Sequence, residues 1–368
     1  MSAKQTVTEM LAHADVRIGG DRPWDIQVTD EGFYSRCLSE ASLGIGEAYM
    51  DGWWDCPHVD QFIDKVLRAG VQPRLPPRRL IPEYLKAKFT NLQKKSRAFV
   101  IGERHYDIGN DLYVRMLDKR LVYSCAYWNG AQNLDEAQEK KLELICRKLD
   151  LKPGMSVLDI GCGWGSLCQY LTEHHDVRVV GITVSKKQLE LAQKRCHALP
   201  VEIRLQDYRE IDDHYDRIVS VGMFEHVGYK NYARYMRTVA KCLKDDGVFL
   251  LQTIGRNSSG ISIDPWIAKY IFPNSMLPSI GQIGAAIENV FVMEDWHNLN
   301  THYEKTLMAW FDNFTKRWDE IKDRYDDRFY RMWTYYLLLC AGAFRARDIQ
   351  VWQILFSKPG REAPLNLR

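Results

Sequence analysis

Two patterns of apolar and polar positions divide the chain. From Ser156 to Thr253, short runs rich in Val, Ile and Leu alternate with stretches whose apolar residues recur every three or four positions. Ser156–Ile160, Val177–Ile182, Val201–Leu205, Arg217–Val221 and Val248–Thr253 are predicted strands, with helices over Leu167–His174 and Lys186–His197. Apolar strands alternating with helices predict a parallel sheet covered on both faces. Leu243–Gly247 is predicted as a turn before the last of these strands. Residues 256 to 300 break the alternation with helical and proline-containing segments, Tyr303–Arg345 is largely helical, and a strand is predicted at Val351–Phe356. The region before residue 70 differs, with short helical stretches and one strand near Ile26–Val28, ending in the aromatic-rich Ala48–Trp54. Pro73, Pro76, Pro77 and Pro82 then mark a joint, after which Tyr84, Leu85, Phe89 and Leu92 take helical spacing among lysines, predicting a basic amphipathic helix.

Composition narrows the class. At 368 residues with 46% apolar and 27% charged positions, the chain can bury a core in about two domains, which excludes a disordered or collagen-like protein. The net charge of +2 excludes a uniformly polyanion-coating protein. That near-neutral total conceals one asymmetry: Arg74 to Arg97 holds eight positive residues against Glu83, a local +7 that leaves −5 for the remainder. The longest apolar candidate, Trp333–Phe344, falls short of the roughly 18 residues of a membrane span. The start, Met1–Met10, lacks the apolar stretch of a signal peptide. Nine scattered cysteines without a C-x-x-C pair fit free thiols in a reducing cytoplasm and give no zinc or other metal site.

The clearest chemical motif is Asp159-Ile160-Gly161-Cys162-Gly163-Trp164-Gly165, where a strand opens through a glycine loop into a helix. The glycines let backbone approach a ligand at the carboxyl end of the first strand of an open α/β sheet. Position 166 is Ser rather than the last glycine of G-x-G-x-x-G, and Gly181-Ile182-Thr183 stands where a dinucleotide fold wants an acid, so a dinucleotide fits poorly. Asp159 suits S-adenosylmethionine, which has a charged amino-acid tail and no pyrophosphate. The ribose hydroxyls would then be met by neutral donors, Thr183 with Ser185 and Gln188. The bland alternative for the loop is a bare tight turn.

Two further segments carry candidate chemistry. Tyr123-Ser124-Cys125-Ala126-Tyr127-Trp128 puts hydroxyls beside aromatics, useful to a sulfonium cofactor and an apolar substrate, although a packed turn explains it equally. Gly222-Met223-Phe224-Glu225-His226-Val227-Gly228 follows the fourth strand, placing Glu225 at the binding edge as a base or as the holder of one; a solvated loop acid is the plain alternative. His105 and His297 read as structural histidines, and Cys340, within an apolar run, as a small buried hydrophobe with little nucleophilicity.

Together these motifs resemble the cyclopropane-fatty-acyl-phospholipid synthase family over nearly the whole chain. The resemblance rests on Gly44–Trp54, His105–Asp111, YSCAYW from Tyr123, DIGCGWG from Asp159, GMFEHVG from Gly222, DPWIAKYIFP from Asp264 and CAGAFRARDIQVWQ from Cys340. It implies a doubly wound, Rossmann-like S-adenosylmethionine methyltransferase sheet with a small, mainly helical N-terminal domain. Residues 1–90 would associate with lipid, and 91–368 would form the catalytic domain with an inserted helical substrate region around 256–345. The implied reaction moves a methylene group from S-adenosylmethionine to the cis double bond of an unsaturated acyl chain in a membrane phospholipid.

The family's base is thought to be a bound bicarbonate. Its implied ligands are backbone groups of Cys125 and Ile254, the Glu225 carboxylate and the Tyr303 phenol, with Gln252 standing where the family has a histidine. Cys340 matches a cysteine that family descriptions flag as catalytic. Cofactor contacts are implied for Tyr123, Ser124, the loop Asp159, Gly161, Cys162, Gly163, Trp164 and Gly165, for Thr183, Ser185 and Gln188, and for Asp207 and Tyr208. The resemblance also implies a homodimer, a cytoplasmic protein held peripherally on the inner face of the membrane, preferably by anionic lipids, and no nucleic-acid partner. An amine N-methyltransferase and a non-catalytic lipid-binding relative are the competing readings.

Overall fold

The computed structural model describes residues 1–71, 109–261 and 263–361. The proline joint, the basic helix after Pro82 and His105 lie outside the described residues. The chain divides into two compact units.

The first unit takes its described residues from 1–90, 261–273 and 303–349. It contains helices Ala3–His13, Gly32–Met50, Val59–Ala69, Pro265–Tyr270 and Asp327–Ala346, with a two-residue antiparallel pair, β1 (Gln27–Val28) and β2 (Trp54–Asp55). Local chemistry starts these helices: Ser2 and Gln5 form a capping box, Asp264 accepts from two amides ahead of Pro265, and Asp326 caps the long helix. The motif Gly44–Trp54 is structural in origin. A Cβ on Gly46 would stand 2.4 Å from the indole of Trp266, so two motifs far apart in sequence require each other. Beside them, the nearly buried Glu47 accepts from Lys269, from the Tyr270 hydroxyl at 2.8 Å and from Arg36.

The second unit carries a seven-stranded sheet of order β5-β4-β3-β6-β7-β9-β8. The strands are β3 (Ser156–Ile160), β4 (Arg178–Thr183), β5 (Val201–Leu205), β6 (Tyr215–Val221), β7 (Leu243–Arg256), β8 (Val292–Asn298) and β9 (Ile349–Ser357). β3 to β7 pair in parallel, as expected. Alternate residues feed two cores: Leu158, Ile218, Phe249 and Leu251 face one side, while Val157, Val219, Val248 and Leu250 face the other, so both faces are covered.

Two expectations are corrected. The sheet is mixed, because β8 pairs antiparallel to β9. β8 itself was not expected: its Val292 and Met293 are exposed, and a register shift between Met293 and Asp295 destroys the period-two pattern. The expected turn at Leu243–Gly247 lies within β7, where Tyr215 pairs with Leu243 and Arg217 already pairs with Val248, so the intervening residues are accommodated as an irregularity. Among the described residues, no helix is long and apolar enough to cross a membrane.

Candidate active site

β3 has β4 on one side and β6 on the other, so its carboxyl end opens at the point where the chain order of the sheet reverses. There Gly161, Gly163 and Gly165 adopt φ of 88°, 56° and 78°, in the left-handed region that favours glycine. The amides of Gly161 and Cys162 both donate to Ile182 O at 3.0 Å, tying the loop to β4. Gly161 also passes Met223 so closely that a Cβ would lie 2.8 Å from the methionine Cβ. Asp159 is buried beneath this loop and accepts from the Cys168 thiol at 3.5 Å. Burial pushes its carboxyl up to about 7, against the opposing pull of Cys168 and Lys141.

The segment carrying Tyr123 and Ser124 is fastened by one face of the helix Leu134–Leu149. Gln138 donates to Val122 O and Ser124 O at 3.2 and 2.9 Å, and one turn later Lys141 Nζ donates to Ser124 Oγ at 3.2 Å. Tyr113 packs edge-on to Tyr123 and tilted against Trp164, with ring centroids 5.1 and 4.9 Å apart.

On the opposite wall, Thr183 Oγ1 donates to Gln188 Oε1 at 2.8 Å, and Ser185 Oγ caps the helix Lys186–Cys196 by accepting from Gln188 N. These three neutral side chains form one linked set at the end of β4. Asp207 is gripped by Arg209, whose Nε and Nη2 stand 2.7 and 2.6 Å from its carboxylate, and Tyr208 follows it.

The structure brings Tyr123, Ser124, Asp159, Gly161, Cys162, Gly163, Trp164, Thr183, Gln188, Asp207 and Tyr208 around one cavity. Gly165 and Ser185 do not line it; each sits at a helix start, as an N-cap residue. The same cavity is lined by Lys141, Met223 and His226, which sequence reasoning had not assigned to cofactor contact. Burial pulls the His226 imidazole down to about 4, so it is neutral at ordinary pH.

Glu225 is enclosed in the short helical turn Phe224–His226. Its Oε1 accepts from Ile254 N at 2.6 Å, and Met276 N donates to its backbone carbonyl at 2.7 Å. Oε2 is buried without a hydrogen-bond partner among the described residues, the Thr253 hydroxyl beside it being turned to Ile254 O at 3.0 Å. Burial raises the carboxyl to about 7, with the Ile254 amide opposing. The structure thus joins Glu225 and Ile254 directly. Gln252 is nearby in sequence on β7, buried, and accepts from Gln353 Nε2 of β9 at 3.0 Å. Cys125 is fully buried, its Sγ 3.3 Å from Ala126 O.

Tyr303 and Cys340 belong to the first unit. There Tyr303 packs against Phe344 at 4.6 Å between ring centroids. Desolvation pushes the Cys340 thiol up to about 12, so it is a thiol and not a thiolate at neutral pH. Among the described residues, no group of His, Cys, Asp and Glu is arranged to hold a metal ion.

A mixed α/β sheet whose strands β3 to β7 are parallel, with a glycine loop at its switch point, a carboxylate leading into that loop and neutral hydroxyls at the end of β4, defines the S-adenosylmethionine-dependent methyltransferase fold class. The model of the mycolic acid cyclopropane synthetase family matches residues 93–354, and the chain belongs to this family. It is 55% identical over 353 residues to the cyclopropane-fatty-acyl-phospholipid synthase of Escherichia coli (strain K12), covering 95% of this chain and 92% of that one. Among solved structures it is similar to the cyclopropane synthase MmaA2 from Mycobacterium tuberculosis, with a TM-score of 0.67 and 33% identity over 71% of this chain and 98% of that one. It is equally similar to the mycolic acid cyclopropane synthase CmaA1 complexed with SAH and CTAB, with a TM-score of 0.66 and 33% identity over the same shares.

Proposed function

We propose that this protein is a cyclopropane-fatty-acyl-phospholipid synthase, transferring a methylene group from S-adenosylmethionine to the cis double bond of unsaturated acyl chains in membrane phospholipids. The observation that carries the reading is the buried Glu225 carboxyl, with one oxygen on the Ile254 amide and the other unpartnered, on the loop that supplies Met223 and His226 to the cofactor cavity.

The chemistry explains why such an arrangement is useful. An alkene is a weak nucleophile, so the sulfonium methyl must be held in line and water kept out. Attack leaves a cation beside the new methyl, and a base must remove one proton from that methyl for the ring to close. A protein carboxylate placed directly against that cation could be alkylated. The buried Glu225 is better suited to holding a small base than to acting as one. Bicarbonate, when bound, would supply that base. Glu225, held through Oε1 by the Ile254 amide, would accept its hydroxyl at Oε2, and a backbone group of Cys125 with the Gln252 amide would donate to its other oxygens. The unpartnered Oε2 of Glu225 fits an acceptor awaiting such a hydroxyl.

Gln252 can donate but cannot take up or relay a proton. Gln252→His is therefore expected to raise turnover at low bicarbonate and to lower the bicarbonate concentration giving half-maximal rate. Turnover assayed across a bicarbonate titration checks this, and identical curves for the two proteins would contradict it.

The basic block Arg74–Arg97 supports reversible docking on anionic membranes, each Lys or Arg near such a surface contributing on the order of 1 kcal/mol, screened by salt. A homodimer acting at the cytoplasmic face of the membrane completes the proposal. The whole reading is tested by mixing the protein and S-adenosylmethionine with vesicles of a mono-unsaturated anionic phospholipid. The product should be heavier by one methylene and have lost its double bond, with less formed at high salt; no mass gain at any salt concentration would overturn the reading.

A further inference from the structure

The helix Leu134–Leu149 buries two lysines, and they are treated differently. Lys148, 1% exposed, has the carboxylate of Asp295 at 3.2 Å, so its charge is answered within the fold. Lys141, 2% exposed, has no carboxylate within ion-pair distance among the described residues. Its hydrogen-bond partner is the Ser124 hydroxyl at 3.2 Å, which leaves most of the donor capacity of an ammonium unused. Burying an unpaired cation is expensive, so such a group either gives up its charge or is met by a partner, and here the cavity it lines leaves room for one. Lys141 and Ser124 both line the cofactor cavity, together with Asp159.

We propose that Lys141 and Ser124 form a two-donor clamp for the α-carboxylate of the cofactor's amino-acid end, the cation of Lys141 being answered by the ligand itself. The inference rests on the S-adenosylmethionine reading and assigns a residue to one group of that molecule. The cavity then matches a zwitterion: a carboxylate goes to the Lys141 side and an ammonium to the Asp159 side, while Thr183 and Gln188 stand at the nucleoside end. Burial pulls the lysine down to about 8, against the attraction of Asp118, Cys125 and Asp159, so it remains largely cationic at neutral pH. Its neighbour Lys140 is spent outside the cavity, donating to Asn129 O at 2.9 Å.

The test uses calorimetric binding to the full chain of three probes: S-adenosylhomocysteine, its decarboxylated counterpart S-(5′-adenosyl)-3-thiopropylamine, and 5′-methylthioadenosine. The wild-type protein should prefer the first over the second by about 30-fold, the value of a charged hydrogen-bonded contact. Lys141→Met should bring that preference to within about threefold while 5′-methylthioadenosine binds as before, and Lys141→Arg should keep most of it. A methionine variant that retains the wild-type preference overturns the proposal. So does a wild-type protein that binds the first two probes equally, a result that needs no variant to fold. A wild-type protein that binds none of the three overturns the S-adenosylmethionine reading itself.

Discussion

Glu225→Gln is expected to lower turnover of an unsaturated phospholipid by about two to four orders of magnitude, the usual contribution of general-base catalysis, because the base that Glu225 holds is lost with it, while S-adenosylhomocysteine binds within about twofold of wild type. The amide can still accept from Ile254 N through its oxygen, so the local geometry is kept. What it loses is a carboxylate able to accept a hydroxyl proton at the unpartnered Oε2. The same substitution has a signed effect on stability. Glu225 is raised from 4.5 to about 7 in the folded chain. Between those pH values the folded protein holds a proton that the unfolded chain has released, so stability falls as pH rises through that window and levels off above it. Glutamine removes that loss, and the variant should be more stable than wild type at pH 8 by on the order of 1 to 3 kcal/mol, with little difference below pH 4.5. Asp159, also raised to about 7, acts in the same direction, so the pH dependence of the variant should shrink without vanishing. Thermal unfolding of both proteins at pH 5 and pH 8 checks the sign; a variant less stable at pH 8 would contradict it.

Gly161→Ala is the second large effect expected. At φ 88° an alanine is strained, and its Cβ would meet Met223 Cβ at 2.8 Å, a contact that repacking of a flexible chain end cannot relieve. The loop must move from Ile182 or Met223 must move, and both lie on the cavity wall. Affinity for S-adenosylhomocysteine should fall by about 100-fold, on the order of 3 kcal/mol of strain and lost fit. Calorimetry measures this directly. At Gly163 a Cβ would meet no protein atom within 4 Å, so Gly163→Ala should cost markedly less thermal stability than Gly161→Ala.

How much of this was legible in the sequence depends on how each feature is written there. β3 and β5 begin and end at the expected residues because each is a short β-prone run with a breaker at one end, Ser-Val-Leu-Asp-Ile running into Gly161 and the alternating Val-Glu-Ile-Arg-Leu following Pro200. β8 was illegible because its register shift and exposed Val292 and Met293 leave no alternation to read. The glycine loop was legible because a backbone with positive φ restricts residue type. Lys141 was not. In Glu139-Lys140-Lys141-Leu142 two adjacent lysines look alike, and only the rotation of the helix against Ser124 and the cavity sends one inward. Gln252 was noticed as a departure from the family pattern, but its bond to Gln353 comes from β9 lying beside β7, a pairing that spacing cannot foretell. Cys340 could be weighed from its apolar neighbours alone, and desolvation of its thiol follows from the same neighbours once they are folded around it.

Methylene transfer with ring closure, the central claim, is tested most directly by the fate of the donor hydrogens. With S-adenosylmethionine carrying a trideuterated methyl group and mono-unsaturated phospholipid vesicles, the account predicts a product that retains two of the three deuterium atoms and has no remaining double bond. A product retaining all three would mean that a methyl group had been transferred without loss of a proton, and would contradict it.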